Sequence, residues 1–239
     1  MRSLLIVRGD DSAALDAALA SEADAIVIAL DVGEMRDAAR RNLARLLSEP
    51  RDPRPQTKLI ARVSGLSSGE TDADLDAAMA CAPWAILLPG CAGAADVQRL
   101  SVKLAVREAS LGLEDGATRV IAMIDAARAV LASPTLVGSS GRLAGIAWDA
   151  EALCRDLGAE TSRDATGGYA GALRYAREAT LLAAAAARVP AIDAACPGDS
   201  VALAAEVEAA RRDGFRGKLA CDPAQAALIN RVLGKAPAC

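Results

Sequence analysis

The stretch 25–48, AIVIALDVGEMRDAARRNLARLLS, decides the fold. Ala25–Asp31 is an apolar run of strand length, and Glu34–Ser48 then sets apolar side chains at helical spacing among Arg and Asp. A strand apolar on both faces, followed at once by an amphipathic helix, is the unit of a parallel sheet. The unit recurs along the chain. Further runs are Ser3–Gly9 (SLLIVRG), Lys58–Ser64 (KLIARVS), Ala85–Gly90 (AILLPG), Arg119–Asp125 (RVIAMID), Leu143–Asp149 (LAGIAWD), Pro190–Cys196 (PAIDAAC) and Gly217–Pro223 (GKLACDP). Helical stretches are expected at Ser12–Glu22, Asp72–Cys81, Ala94–Leu111, Tyr169–Arg188, Ser200–Asp213 and Pro223–Leu233 as well. Eight strand-helix units in 239 residues point to an α/β fold with a single (β/α)8 TIM barrel spanning 1–239. A doubly wound open sheet is the alternative, but VRGDDSAAL lacks the GxGxxG turn such sheets place after their first strand. RDPRP (51–55) and VGSSG (137–141) read as turns into strands three and six.

Composition narrows the chemistry. Hydrophobic residues make up 53% and charged residues 24%, enough for a sizeable core. Aromatics at 2% and a net charge of -4 argue against a nucleic-acid partner. No His is present, so the commonest general base, the usual zinc ligand and any Ser-His or Cys-His nucleophile are excluded. Six scattered Cys without a CxxC read as a reduced, cytoplasmic chain. The apolar run in MRSLLIVRGDD is broken by Arg8, Asp10 and Asp11, so neither a signal peptide nor a membrane span is expected there.

In a barrel the reacting groups sit at the C-terminal strand ends. Those positions here carry Arg8 and Asp10, Asp31, Arg62, Asp125, Asp149 and Glu151, Asp193 and Asp222, with Pro89-Gly90 offering backbone after strand four. Converging carboxylates select a hard cation such as Mg2+, Mn2+ or Ca2+, and Arg62 supplies a fork for a carboxylate. Together they suggest a small anionic substrate, a 2-oxo acid, with a metal-stabilised enolate as a C–C bond breaks or forms. About half of the Asp residues are expected to be helix N-caps instead, Asp10 and Asp149 first among them. Cys196 and Cys221 read as buried thiols. Lys218, at the start of strand eight, is badly placed for a Schiff base.

The order of segments resembles the citrate lyase beta-subunit-like branch of the HpcH/HpaI aldolase superfamily. RSLLIVRGD resembles that family's RSLLFVPGD, RVIAMIDAARAVL its MIETARGV strand, LAGIAWDAEALCRDLGAET its FGAEDLAADLGA, and GFRGKLACDPAQAALIN its GFDGKLAIHPAQVAVIN. The resemblance implies a (β/α)8 barrel, lyase chemistry on 2-oxo or 3-hydroxy acids or their CoA thioesters, Mg2+ or Mn2+, and a trimer or hexamer. The Ala-rich helices fit such packing of copies, and equally fit plain helix propensity. Arg62 falls on the family's substrate Arg, and Asp125 on a metal-ligating Glu. Ala152 falls on the second metal ligand, an Asp. The family's PKVE becomes Pro89-Gly90-Cys91-Ala92, its DLED becomes Ala29-Leu30-Asp31-Val32, and its C-terminal His becomes Asp222. The usual C-terminal extension, which helps cover the acyl-CoA site, is not expected after Asn230. The assignment that follows makes Arg62, Asp31 and Asp222 catalytic, Arg62, Arg8, Asp193, Pro89 and Gly90 substrate-binding, and Asp125, Asp149 and Glu151 metal ligands. The alternative is a degenerate barrel that binds a ligand or partner without turnover.

Overall fold

The computed structural model describes residues 1–48, 57–196 and 200–234. Eight parallel strands close on themselves: β1 (Ser3–Arg8), β2 (Ala25–Ala29), β3 (Lys58–Arg62), β4 (Ala85–Leu88), β5 (Arg119–Ile124), β6 (Leu143–Trp148), β7 (Ala191–Asp193) and β8 (Gly217–Ala220). Closure comes from β1 pairing with β8, Ser3 against Lys218 and Leu5 against Ala220. Each expected run became one of these strands. The expected turn at 51–55 and residues 197–199 of the loop after β7 lie outside the described residues.

The helices are α1 (Ser12–Ala20), α2 (Arg36–Ser48), α3 (Thr71–Met79), α4 (Ala94–Leu111), α5 (Ala127–Ala132), α6 (Ala150–Asp156), α7 (Gly171–Ala187), α8 (Ser200–Asp213) and α9 (Pro223–Leu233). α5 and α6 are additions to the sequence reading, each too short for a periodic pattern to emerge. Among the described residues no helix is long and apolar enough to cross a membrane.

Side-chain parity along the strands sorts the buried residues into two layers. Leu4, Val27, Ile60, Leu87, Ile121, Met123, Ala147, Ile192 and Leu219 fill the barrel interior. Leu5, Ile26, Ile28, Ile86, Leu88, Ile124 and Trp148 point outward against the helices. Gly145 and Gly217 keep the interior from overfilling, since a Cβ there would meet Ile192 Cδ1 and Leu4 Cδ1 at 3.2 Å. Ile60 faces in, so Arg62 faces the mouth; Met123 likewise aims Asp125, and Val27 aims Asp31. Ile192 faces in, so Asp193 faces the helices.

Parity also explains a buried ionic network outside the barrel. Asp193 Oδ1 accepts from Trp148 Nε1 at 2.8 Å and Arg177 Nε at 3.2 Å, and Asp193 Oδ2 accepts from Lys218 Nζ at 2.9 Å. Lys218 Nζ also donates to Ala194 O at 2.7 Å and lies 3.3 Å from Glu206. Burial pushes the Asp193 carboxyl up, but Lys218 and Arg177 more than offset it and hold it below the usual carboxylate value.

Candidate active site

The ends of β2, β3, β4 and β5 frame a cavity of about 390 Å³ at the C-terminal mouth. Asp31, Arg62, Pro89, Gly90 and Asp125 line it, joined by the β3–α3 loop (Gly65, Leu66, Ser67), by Asp96 and Arg99 of α4, and by Arg128 of α5. It thus holds three guanidiniums and three carboxylates. A small acid with charged ends fits such a volume and lining.

Arg62 is half-buried, and its Nε lies 2.9 Å from Asp31 Oδ2 without the alignment of a hydrogen bond. Burial pushes the Asp31 carboxyl above its ordinary value, and Arg62 only partly opposes this. Asp125 uses both oxygens, at 2.9 Å each, to accept the backbone N–H of Gly90. Its carboxyl is also pushed up, by burial first and by the charge of Asp149, against the pull of Gly90 and Arg62. Gly90 has φ +62, a left-handed conformation that costs an L side chain about 1–2 kcal/mol, which is why glycine stands there. That turn aims its N–H at Asp125 and leaves its carbonyl to accept from Arg128 Nη2 at 3.3 Å.

The remaining expected residues lie elsewhere. Arg8 is exposed and pairs with Asp10 at 2.8 Å, so Asp10 is not the cap of α1; Asp11 is, accepting from Ala14 N. Asp149 caps α6 by accepting from Ala152 N, and Asp222 caps α9 by accepting from Gln225 N. Glu151 accepts from Ser162 Oγ at 2.8 Å. Asp193, expected to touch substrate, is instead enclosed in the network behind the barrel wall, where only 1% of its surface is exposed. Cys91, beside the pocket, is buried, and its thiol is pushed up to about 11, so it stays protonated and inert. Arg99, Arg128 and Asp96 escaped a reading confined to strand ends, because they sit on helices.

A divalent metal does not fit the donors present. Asp125 shares the single N–H of Gly90 between its two oxygens, Asp149 Oδ1 is turned to a helix cap, Glu151 Oε1 to Ser162, and position 152 is Ala. Among the described residues no three carboxylate or Cys groups form a set that could hold a metal ion. The expected ligand trio of Asp125, Asp149 and Glu151 is therefore not assembled.

Comparison with known proteins agrees with the barrel. Residues 2–223 match the family model of the HpcH/HpaI aldolase/citrate lyase group. The chain is 29% identical over 238 residues to citrate lyase subunit beta of Escherichia coli K12, covering 97% of this chain and 76% of that one. It is likewise 29% identical over 241 residues to a (3S)-malyl-CoA thioesterase of Cereibacter sphaeroides, covering 99% and 78%. Among solved structures, Mycobacterium tuberculosis CitE in complex with magnesium, acetoacetate and coenzyme A superposes with TM-score 0.82 at 26% identity, covering 99% of this chain and 82% of that one. With the eight-stranded barrel, Arg62 and Asp125 at strand ends, and a match across nearly the whole sequence, this chain belongs to the HpcH/HpaI aldolase/citrate lyase family.

Proposed function

We propose that this chain is a carbon-carbon lyase of the aldolase/citrate lyase type, acting on a small 2-oxo or 3-hydroxy acid or its CoA thioester. The reading rests on one observation: Arg62, its Nε 2.9 Å from Asp31, lines one cavity together with Asp31 and Asp125, two carboxylates that burial pushes above their ordinary value. Arg62 would face the substrate's carboxyl or oxo oxygen. Asp31 or Asp125 would take the proton of a hydroxyl β to that carbonyl. The carbon-carbon bond then breaks, its electron pair moves to the oxygen facing Arg62, and the resulting enolate takes up a proton as the aldehyde or oxo acid leaves. No step is routed through a metal, because the donors do not make a centre for one.

A second reading, a barrel that binds such an acid without turnover, is favoured by Ala152, which stands where the resemblance puts a metal-ligating Asp. Product formation separates the two. A 3-hydroxy acid and its CoA thioester are each incubated with the protein, and the released carbonyl is trapped as a phenylhydrazone. Lyase activity is expected as a carbonyl product that appears with wild-type protein and is lost in Arg62→Met. Saturable substrate binding with no product would overturn the lyase reading in favour of the second.

A further inference from the structure

Two guanidiniums of the pocket have no acid to answer them. Arg99 and Arg128 are exposed, and no carboxylate of the described residues lies within ion-pair distance of either. Asp96, one turn before Arg99 on α4, is turned back to accept the N–H of Ala92 at 2.8 Å. Arg128 is steadied by its bond to the Gly90 carbonyl, which commits only one of its five N–H donors. Arg62, by contrast, is half-buried and already balanced by Asp31. The lining therefore divides into a half-buried ion pair, Arg62 with Asp31, and two exposed guanidiniums without a paired carboxylate.

Like charges lining one small cavity repel until an anion lies between them, and a guanidinium fork matches carboxylate and phosphate alike. We propose that Arg99 and Arg128 form a second anion subsite, which selects acids bearing two anionic groups over acids bearing one. This rests on the pocket being the acid site argued above. The second group is a carboxylate or a phosphate, and the subsite holds it while Arg62 holds the first group.

The test is calorimetric titration of pyruvate, oxaloacetate and phosphoenolpyruvate into wild-type protein and into an Arg99→Met/Arg128→Met double variant. Both residues are exposed and carry no buried pairing, so the variant should keep the wild-type melting temperature. Wild type is expected to bind at least one of the two dianions about tenfold or more tighter than pyruvate, the size of a charge-assisted contact. In the variant that preference should vanish while pyruvate binds as before. Preference for oxaloacetate alone assigns a carboxylate, for phosphoenolpyruvate alone a phosphate, and either supports the subsite. A wild type that binds pyruvate and the dianions equally, or a preference that survives in the variant, overturns the subsite and leaves the acid site standing. A wild type that binds none of the three overturns both.

Discussion

Replacing Arg62 with Met is expected to weaken binding of a small oxo acid such as oxaloacetate by about 30-fold or more, since charge-assisted bonds to a carboxylate contribute about 2 kcal/mol or more. The residue is half-buried in the cavity lining, with its Nε 2.9 Å from Asp31. Removing it also leaves Asp31 and Asp125 without their nearest cation, so two carboxylates already raised by burial would rise further and repel an anion while they stay charged. Arg62→Lys should recover only part of the loss, because a point charge replaces a planar fork. Calorimetric titration of the three proteins checks this. Equal affinities in wild type and Arg62→Met would remove Arg62 from the binding site.

The largest effect on stability is expected at Asp193. Asp193→Asn leaves Lys218, which has no exposed surface, and Arg177 without the carboxylate that pairs them. Breaking a buried ion pair from one side costs about 3–5 kcal/mol, which for a domain of this size is a fall in Tm of roughly 6–20 °C. Lys218→Met/Asp193→Asn should be more stable than Asp193→Asn alone, because the double change removes the stranded ammonium. The sign with pH follows from the direction of the shift. The folded carboxyl is held below its unfolded value, so its contribution is complete above the unfolded value, about 3.9 for Asp, and is lost as pH falls through the folded one. Thermal melts across that acid range should therefore converge for wild type and Asp193→Asn. A single variant as stable as wild type at neutral pH would contradict the network.

These two residues also show what the sequence could and could not disclose. The barrel was legible because eight mostly apolar runs are each bounded by turn residues, and because parallel strands buried on both faces carry few polar residues to blur them. Arg62 was legible because a charged side chain inside such a run needs a partner or a ligand. Asp193 was misplaced because position at a strand end was weighed without parity: in PAIDAAC, Ile192 takes the interior side and sends its neighbour outward. Alternation was there to be read. Asp222, read as catalytic, and Asp149, read as a metal ligand and also as an N-cap, are both caps in space, a competition decided by the backbone N–H groups of the helix that follows. Arg99 and Arg128 had no strand-end signal at all; their spacing of three from Asp96 and from Asp125 becomes meaningful only once α4 and α5 are seen to border the same cavity.

The proposed site holds a small acid through its arginines, with no preformed metal centre among the described residues. Its most direct test is titration of oxaloacetate into wild-type protein, first in EDTA and then in millimolar Mg2+ or Mn2+. The same saturable affinity is expected in both. Binding that appears only with the metal, and disappears in Asp125→Ala, would contradict the account and return the site to a carboxylate-held cation.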